Sequence, residues 1–231
     1  MPPRRIIRDV RRPKHYRDDC DRIAFMYDPL VRFLSLFIGG ARGLEVMWTS
    51  VINEMDATSG KKALDVCCGT GVMCARIADV VGADGVVVGI DLSEKMLKGA
   101  EKRNRRKDNV RFYLSNAEEI SCDDGYFDCA SITFGLHEMP HQVRMNVLCE
   151  MRRVIKPGGK IVVLDYSYPT NKLVQCLFAI WMFVEGKTAK DFIKRDLSFM
   201  IRDAGFNNIK KSVCSYNTVQ IVSGVRSGDA R

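Results

Sequence analysis

The chain has 231 residues, 46% of them apolar and 28% charged, which suits one α/β domain with a substantial core and excludes general disorder. The net charge of +8 is uneven: residues 1–17 hold seven Arg or Lys against Asp9, so a basic tail precedes a nearly balanced domain. Nine cysteines, an odd number without a C-x-x-C, read as small apolar residues in a reducing, cytoplasmic setting and argue against a disulfide framework or a metal site.

From the amino end, three prolines and few apolar anchors predict poor order over residues 1–17, and no apolar run there resembles a secretory signal. Asp18 to Tyr27 reads as a short helix ended by Asp28-Pro29. Leu30 to Ile38 is almost wholly apolar. Leu44, Met47, Trp48, Val51, Ile52 and Met55 then recur at helical spacing. Residues 18–58 are therefore expected to form a helical cover, and residues 59–231 the main domain.

Ala63 to Val66 is β-rich and breaks at Cys67-Cys68-Gly69-Thr70-Gly71; Val72, Met73, Ile77 and Val80 follow at helical spacing until Gly82. A second run, Gly85 to Ile90, ends at Asp91, 22 positions after Gly69. Strand, glycine turn, helix and a carboxylate in that register make the opening unit of a nucleotide-binding sheet, with Asp91 placed for the hydroxyls of a ribose. Glycines let a ligand approach the backbone, and the next helix offers unpaired N–H groups. A dinucleotide would set its pyrophosphate against Asp65, two like charges. S-adenosyl-L-methionine has no phosphate, and its sulfonium and ammonium are favoured by the same carboxylate. Cys74 also stands where the dinucleotide fingerprint has its third small residue. The loop is read as a site for S-adenosyl-L-methionine.

Ser93 caps a helix through Met96, Leu97 and Ala100 to a cationic end at Lys102, Arg103, Arg105, Arg106 and Lys107, which suits the helix dipole. Val110 to Leu114 is a third strand and Phe127 to Thr133 a fourth. Pro140 opens a helix closed by Lys156-Pro157-Gly158-Gly159, and Lys160 to Tyr166 is a fifth strand. Thr170-Asn171 caps an apolar helix ending at Val184, too short to span a bilayer. Phe192 to Ala204 reads as one further helix stopped by Gly205. Ile209 to Ser215 and Thr218 to Ser223 are strands whose two-residue link, Tyr216-Asn217, permits only an antiparallel hairpin. Cys67, Cys129, Cys149 and Cys176 fall within apolar runs and read as packing residues.

At Tyr27-Asp28, Leu64 to Gly71, Gly89 to Ser93, Met96-Leu97, Asn116-Ala117-Glu118, Phe134-Gly135-Leu136, Lys156 to Gly159 and Asp203 to Phe206 the sequence resembles the class I S-adenosylmethionine-dependent methyltransferases. Within that class it is most similar to the ubiquinone/menaquinone biosynthesis C-methyltransferases of the UbiE/MenG type. The resemblance implies a Rossmann-like α/β fold, a seven-stranded, mostly parallel sheet in the order 3-2-1-4-5-7-6 with strand seven antiparallel and helices on both faces. It implies that Asp65, Gly69 and Gly71, with Cys67 and Thr70 of the same loop, line the methionine part of the cofactor and that Asp91 holds its ribose. Leu92 and Met96 would flank adenine, Asn116 and Ala117 would meet its edge, and Thr133 and Phe134 would close the sulfonium side. Two departures stand out: Asn116 replaces the Asp of many relatives, and no Tyr/Ser motif of the quinone enzymes is matched between Tyr168 and Asp191.

Methyl transfer from a sulfonium leaves S-adenosyl-L-homocysteine and asks the protein mainly for alignment, with aromatic faces such as Tyr27 and Phe134 near the cation. If the acceptor is a phenol-like ring or an alcohol, a base is useful, and His137 just beyond strand four is the candidate. The alternative for His137 is a hydrogen bond to a loop carbonyl. The acceptor is expected to be small and apolar, quinone-like or lipid-like. Leu30 to Ile38 and Leu173 to Val184 are either core or the lining of an apolar acceptor pocket in contact with a membrane surface, with Trp181 and Phe183 as anchors, which the basic tail would favour through anionic lipids. Weighed against this are a cofactor-binding module without turnover and an RNA methyltransferase using the tail, the latter disfavoured because the tail lacks interleaved aromatics.

Overall fold

In the computed structural model of the chain, the described residues are 40–228. The expectations for Tyr27, the basic tail and Leu30 to Ile38 lie outside them. Helix α1, Gly40–Met55, places Met47, Val51 and Met55 against the sheet. The core then alternates: β1 Lys62–Val66, α2 Val72–Val81, β2 Val86–Asp91, α3 Glu94–Arg103, β3 Val110–Leu114, β4 Phe127–Thr133, a 3₁₀ turn at Leu136–Glu138, α4 His141–Val154 and β5 Ile155–Tyr166. Helices α5 Lys172–Glu185, α6 Lys187–Phe192 and α7 Leu197–Asp203 precede strands β6 Phe206–Cys214 and β7 Val219–Arg226.

The sheet order is β3-β2-β1-β4-β5-β7-β6, as the resemblance implied. β1 to β5 pair in parallel, and β7 runs antiparallel to both β5 and β6. Central strands covered on both faces are mostly apolar, which is why β1, β2 and β4 read as near-continuous runs, with the Asp65–Ser131 pair as a hydrogen-bonded exception. One core face collects α1, α2 and α3 around Leu97, Cys74 and Val87. The other packs α4 and α7 against Leu64, Ile132 and Val163. Gly89 is a packing requirement within β2: a Cβ there would lie 2.7 Å from the Phe112 ring and 2.8 Å from Cys74 Sγ.

Three element boundaries and the placement of two cysteines differ from what the sequence predicts. β5 begins at Ile155, because Lys156 to Gly159 form an irregular lead-in along β4 rather than a helix stop. The helix expected over Phe192 to Ala204 is two, since Asp196 accepts a hydrogen bond from Ser198 N (2.9 Å) and caps α7 afresh. β6 starts at Phe206, with a register shift between Asn207 and Lys210. Cys149 and Cys176 are exposed, on the outer faces of α4 and α5, and not packed in the core. The hairpin link has Tyr216 and Asn217 at φ 57° and 63°, with Thr218 N donating to Ser215 O, the mark of a type I′ turn.

Candidate active site

The site lies at the carboxyl edge of the sheet. After β1 the chain turns through Cys67 (φ 54°), Gly69 (φ 51°) and Gly71 (φ 72°), and this left-handed run delivers it into α2. A Cβ on Gly69 would meet nothing within 4 Å, so the loop presents bare backbone to open space there. A Cβ on Gly71 would strike Asn104 Nδ2 at 2.7 Å and Ala100 Cβ at 2.9 Å, because α3 packs directly behind the loop. Asn104 Nδ2 donates to Gly71 O (3.1 Å), and Arg103 donates to Thr70 O. Asn104 carries no mark in the sequence, and Arg103 reads there only as part of a cationic end suited to the helix dipole.

Asp91 spans the two halves of the site. Its Oδ2 accepts from Gly69 N (2.9 Å) and its Oδ1 from Ser93 N (2.8 Å). Burial pushes its pKa up to about 6 against the pull of those N–H groups, with the Glu138 charge adding to the rise. Leu92 is half-buried beside it. Ser93 caps α3 by accepting from Met96 N (3.1 Å), which fixes the buried Met96. Asn116 is half-buried, its Oδ1 accepting from Glu118 N (3.1 Å), and Ala117 is buried next to it.

Asp65 departs from its expected place. It is fully buried, with Oδ1 accepting from Ser131 Oγ (2.8 Å) and Oδ2 from Cys74 Sγ (3.2 Å), so its carboxylate is shut between β1, β4 and α2. Burial pushes it up to about 7 despite both bonds. Cys67 and Thr133 are half-buried and Thr70 buried. Phe134 follows β4 in a left-handed conformation (φ 52°), its ring edge-on to Trp48 at 6.4 Å and 5.5 Å from Tyr166.

His137 is where the sequence reading changes most. Its Nδ1 lies 2.8 Å from Asp165 Oδ1, its backbone N donates to Asp165 Oδ2 (3.2 Å), and its Nε2 lies 3.6 Å from Glu185 Oε2. Burial by itself would push the imidazole pKa down; Asp165 and Glu185 overcome it and raise the pKa to about 10. Both ring nitrogens face carboxylates, which favours the protonated imidazole over a free base and brings the carboxylates beside it forward as candidates for that role. The same pair replaces the carbonyl contact considered for this histidine. Glu185 also accepts from the Tyr166 hydroxyl (2.9 Å), which accepts from Trp181 Nε1 (3.0 Å).

The turn that carries His137 is pinned by a buried arginine. Arg144 donates from Nε to Leu136 O (3.0 Å), from Nη1 to Asp191 (2.8 Å) and from Nη2 to Thr188 O (2.6 Å). It thereby ties α4, the 3₁₀ turn and α6 into one unit. Nothing in the sequence marked Arg144, which falls at a core position of an amphipathic helix where an apolar residue is expected.

A family model described as the ubiE/COQ5 methyltransferase family matches residues 14–194. A demethylmenaquinone methyltransferase of a Geobacillus species is 40% identical over 180 residues, 69% of this chain and 76% of the relative. One from Staphylococcus aureus is 34% identical over 179 residues, covering 69% and 73%. Among solved structures, a SAM-dependent methyltransferase from Aquifex aeolicus superposes with a TM-score of 0.62 at 21% identity, over 77% of this chain and 88% of that one, a likeness of fold.

Proposed function

The chain belongs to the ubiE/COQ5 methyltransferase family, is an S-adenosyl-L-methionine-dependent methyltransferase on that ground, and we propose that its acceptor is a quinone-like ring in the hydroquinone state. The observation that carries the cofactor site is Asp91 bridging Gly69 and Ser93 beside the open backbone of Gly69. The residues present fit the cofactor: bare backbone for close approach, a carboxylate in ribose register, and an apolar shelf at Leu92 and Met96. When bound, the cofactor supplies an electrophilic methyl group. We assign Tyr27, Cys67, Thr70, Gly71, Asn116, Ala117, Thr133 and Phe134 to its surroundings, and to Asp65 a supporting place behind the loop, where its hydrogen bonds hold β1, β4 and α2 in register. The acceptor assignment is supported by the names of the relatives at 34–40% identity. The test is transfer of labelled methyl from S-adenosyl-L-methionine to a short-chain prenylated naphthohydroquinone kept reduced under nitrogen. Labelled ring-methyl product is expected; a chain that binds the cofactor yet labels neither this ring nor a benzohydroquinone would remove the quinone reading.

We further propose that α5 rests on an anionic membrane surface when the acceptor is taken up. Leu173, Leu177, Ile180 and Phe183 are 63–77% exposed and recur at spacings of four and three along one stripe. Lys172 and Lys187 bracket the stripe, and Lys190 Nζ lies 4.9 Å above the Phe183 ring. Trp181 leaves the expected anchor set, because its indole is turned inward to Tyr166. No helix of the described residues is long and apolar enough to cross a membrane. Each exposed side chain returned to an apolar phase is worth ~1.5–3 kcal/mol, so the Leu177→Glu/Phe183→Glu double variant is expected to lose at least about tenfold in partitioning to phosphatidylglycerol vesicles. Equal partitioning of the two proteins would sink this contact.

A further inference from the structure

Asp165, His137, Glu185, Tyr166 and Trp181 form one continuous polar chain drawn from three elements: the end of β5, the 3₁₀ turn, and the last two turns of α5. The Tyr166 ring stacks against His137 (4.6 Å) and Phe134 (5.5 Å), which places the chain beside the aromatic residue that follows β4 at the crevice. Exposure along the chain is unequal. The Asp165 side chain is 0% exposed and His137 5%, while Glu185 is 19% exposed. Of the two carboxylates that flank the imidazole, only Glu185 can meet a ligand.

We propose that Glu185 is the catalytic residue that takes the hydroxyl proton of the acceptor, with His137 and Tyr166 as the positioning residues that aim its carboxylate. The inference rests on the methyltransferase reading above. In the step, the acceptor O–H bond breaks and its proton passes to Glu185. The ring carbon made nucleophilic by the resulting phenolate forms the new C–C bond to the methyl group. The S–C bond of the methyl donor breaks and its electron pair stays on sulfur, giving the neutral thioether. The methylated ring then releases its C–H proton to water while Glu185 returns its proton to oxygen. One proton is released overall, and no oxidant or reductant is needed. Asp165 holds Nδ1 and Glu185 faces Nε2, so both ring nitrogens are taken up by carboxylates and His137 acts on the acceptor only through Glu185. Glu185 sits at the end of an apolar helix, where sequence periodicity marks it only as the first polar residue after the stripe.

The test is Glu185→Gln beside Glu185→Asp and Tyr166→Phe in the full chain, with a reduced naphthohydroquinone and with a more acidic, fluorinated hydroquinone. A lost general base lowers kcat by ~10²–10⁴-fold, and Glu185→Gln is expected in that range with the first acceptor, Glu185→Asp recovering part of it. Calorimetric binding of donor and of acceptor should each stay within about threefold of the native protein, because alignment of the ground state is left in place. The defect should shrink by at least about tenfold with the fluorinated acceptor, whose hydroxyl is already largely ionised. An equal defect with both acceptors, or a loss confined to KM or to donor binding, would overturn the proposal and leave Glu185 a structural tie. If the native chain methylates neither acceptor while binding the donor, the quinone reading falls and this inference falls with it.

Discussion

Replacing Asp91 with alanine is expected to weaken S-adenosyl-L-methionine binding by at least ~100-fold, the loss of two hydrogen bonds to a charged acceptor at roughly 1.5–3 kcal/mol each. The effect has two sources in the geometry. Asp91 is the carboxylate in ribose register at the end of β2, and it also accepts from Gly69 N and Ser93 N. Alanine would therefore strip the sugar contact proposed for Asp91 and let the glycine loop and the α3 cap drift apart. The two can be separated: Asp91→Asn keeps one oxygen for Ser93 N but presents an amide to Gly69 N or to the sugar. Its affinity is expected to fall between that of the native protein and that of Asp91→Ala. Calorimetric titration measures both, with thermal midpoints reporting the loss of loop support. Unchanged affinity in Asp91→Ala would displace the cofactor from this loop.

Folding stability is expected to fall steadily from pH 5 to pH 9. Three buried groups hold protons more tightly in the folded chain than in an unfolded one: Asp91 pushed up to about 6, Asp65 to about 7 and His137 to about 10. Wherever the folded state binds more protons, raising the pH removes stability. For the two acids the loss runs from about pH 4, where an unfolded Asp titrates, to pH 6–7. For His137 the stabilisation is complete below about pH 6.5 and disappears as the pH climbs towards 10. Urea midpoints at pH 5, 7 and 9 check the trend. His137→Gln should be less stable at pH 7 and should flatten the decline above it; a native midpoint that rises between pH 7 and 9 would show the imidazole to be neutral in the fold.

The sheet could be read in advance because its signals are local. Buried parallel strands are mostly apolar, and Gly69 and Gly82 punctuate them where the chain has to turn. Asp91 was legible for a similar reason: strand end, glycine loop and helix fix its distance from Gly69. Asp65 is legible as a carboxylate near a strand end facing the cofactor loop but not in its burial or orientation, since Ser131 and Cys74 approach it from outside its own strand. His137 shows the limit most clearly. Its place at the carboxyl edge followed from strand four, but its charge depends on Asp165 and Glu185, 28 and 48 positions away. Arg144 has the same history: a core position filled by a cation whose partners, Thr188 and Asp191, belong to a helix whose own boundary was misread.

The sheet ends at β6, and the way it ends decides what the molecule can join. Between Asn207 and Lys210 the strand loses register with β7, Asn208 takes a left-handed turn, and Lys210 and Lys211 stand exposed beyond it. A second copy laid against this edge would have to follow that kink and bring like charges together, so added strands are disfavoured there. Crowded in a cell or concentrated in a tube, the folded protein is thereby guarded against fibre formation from this side of the sheet.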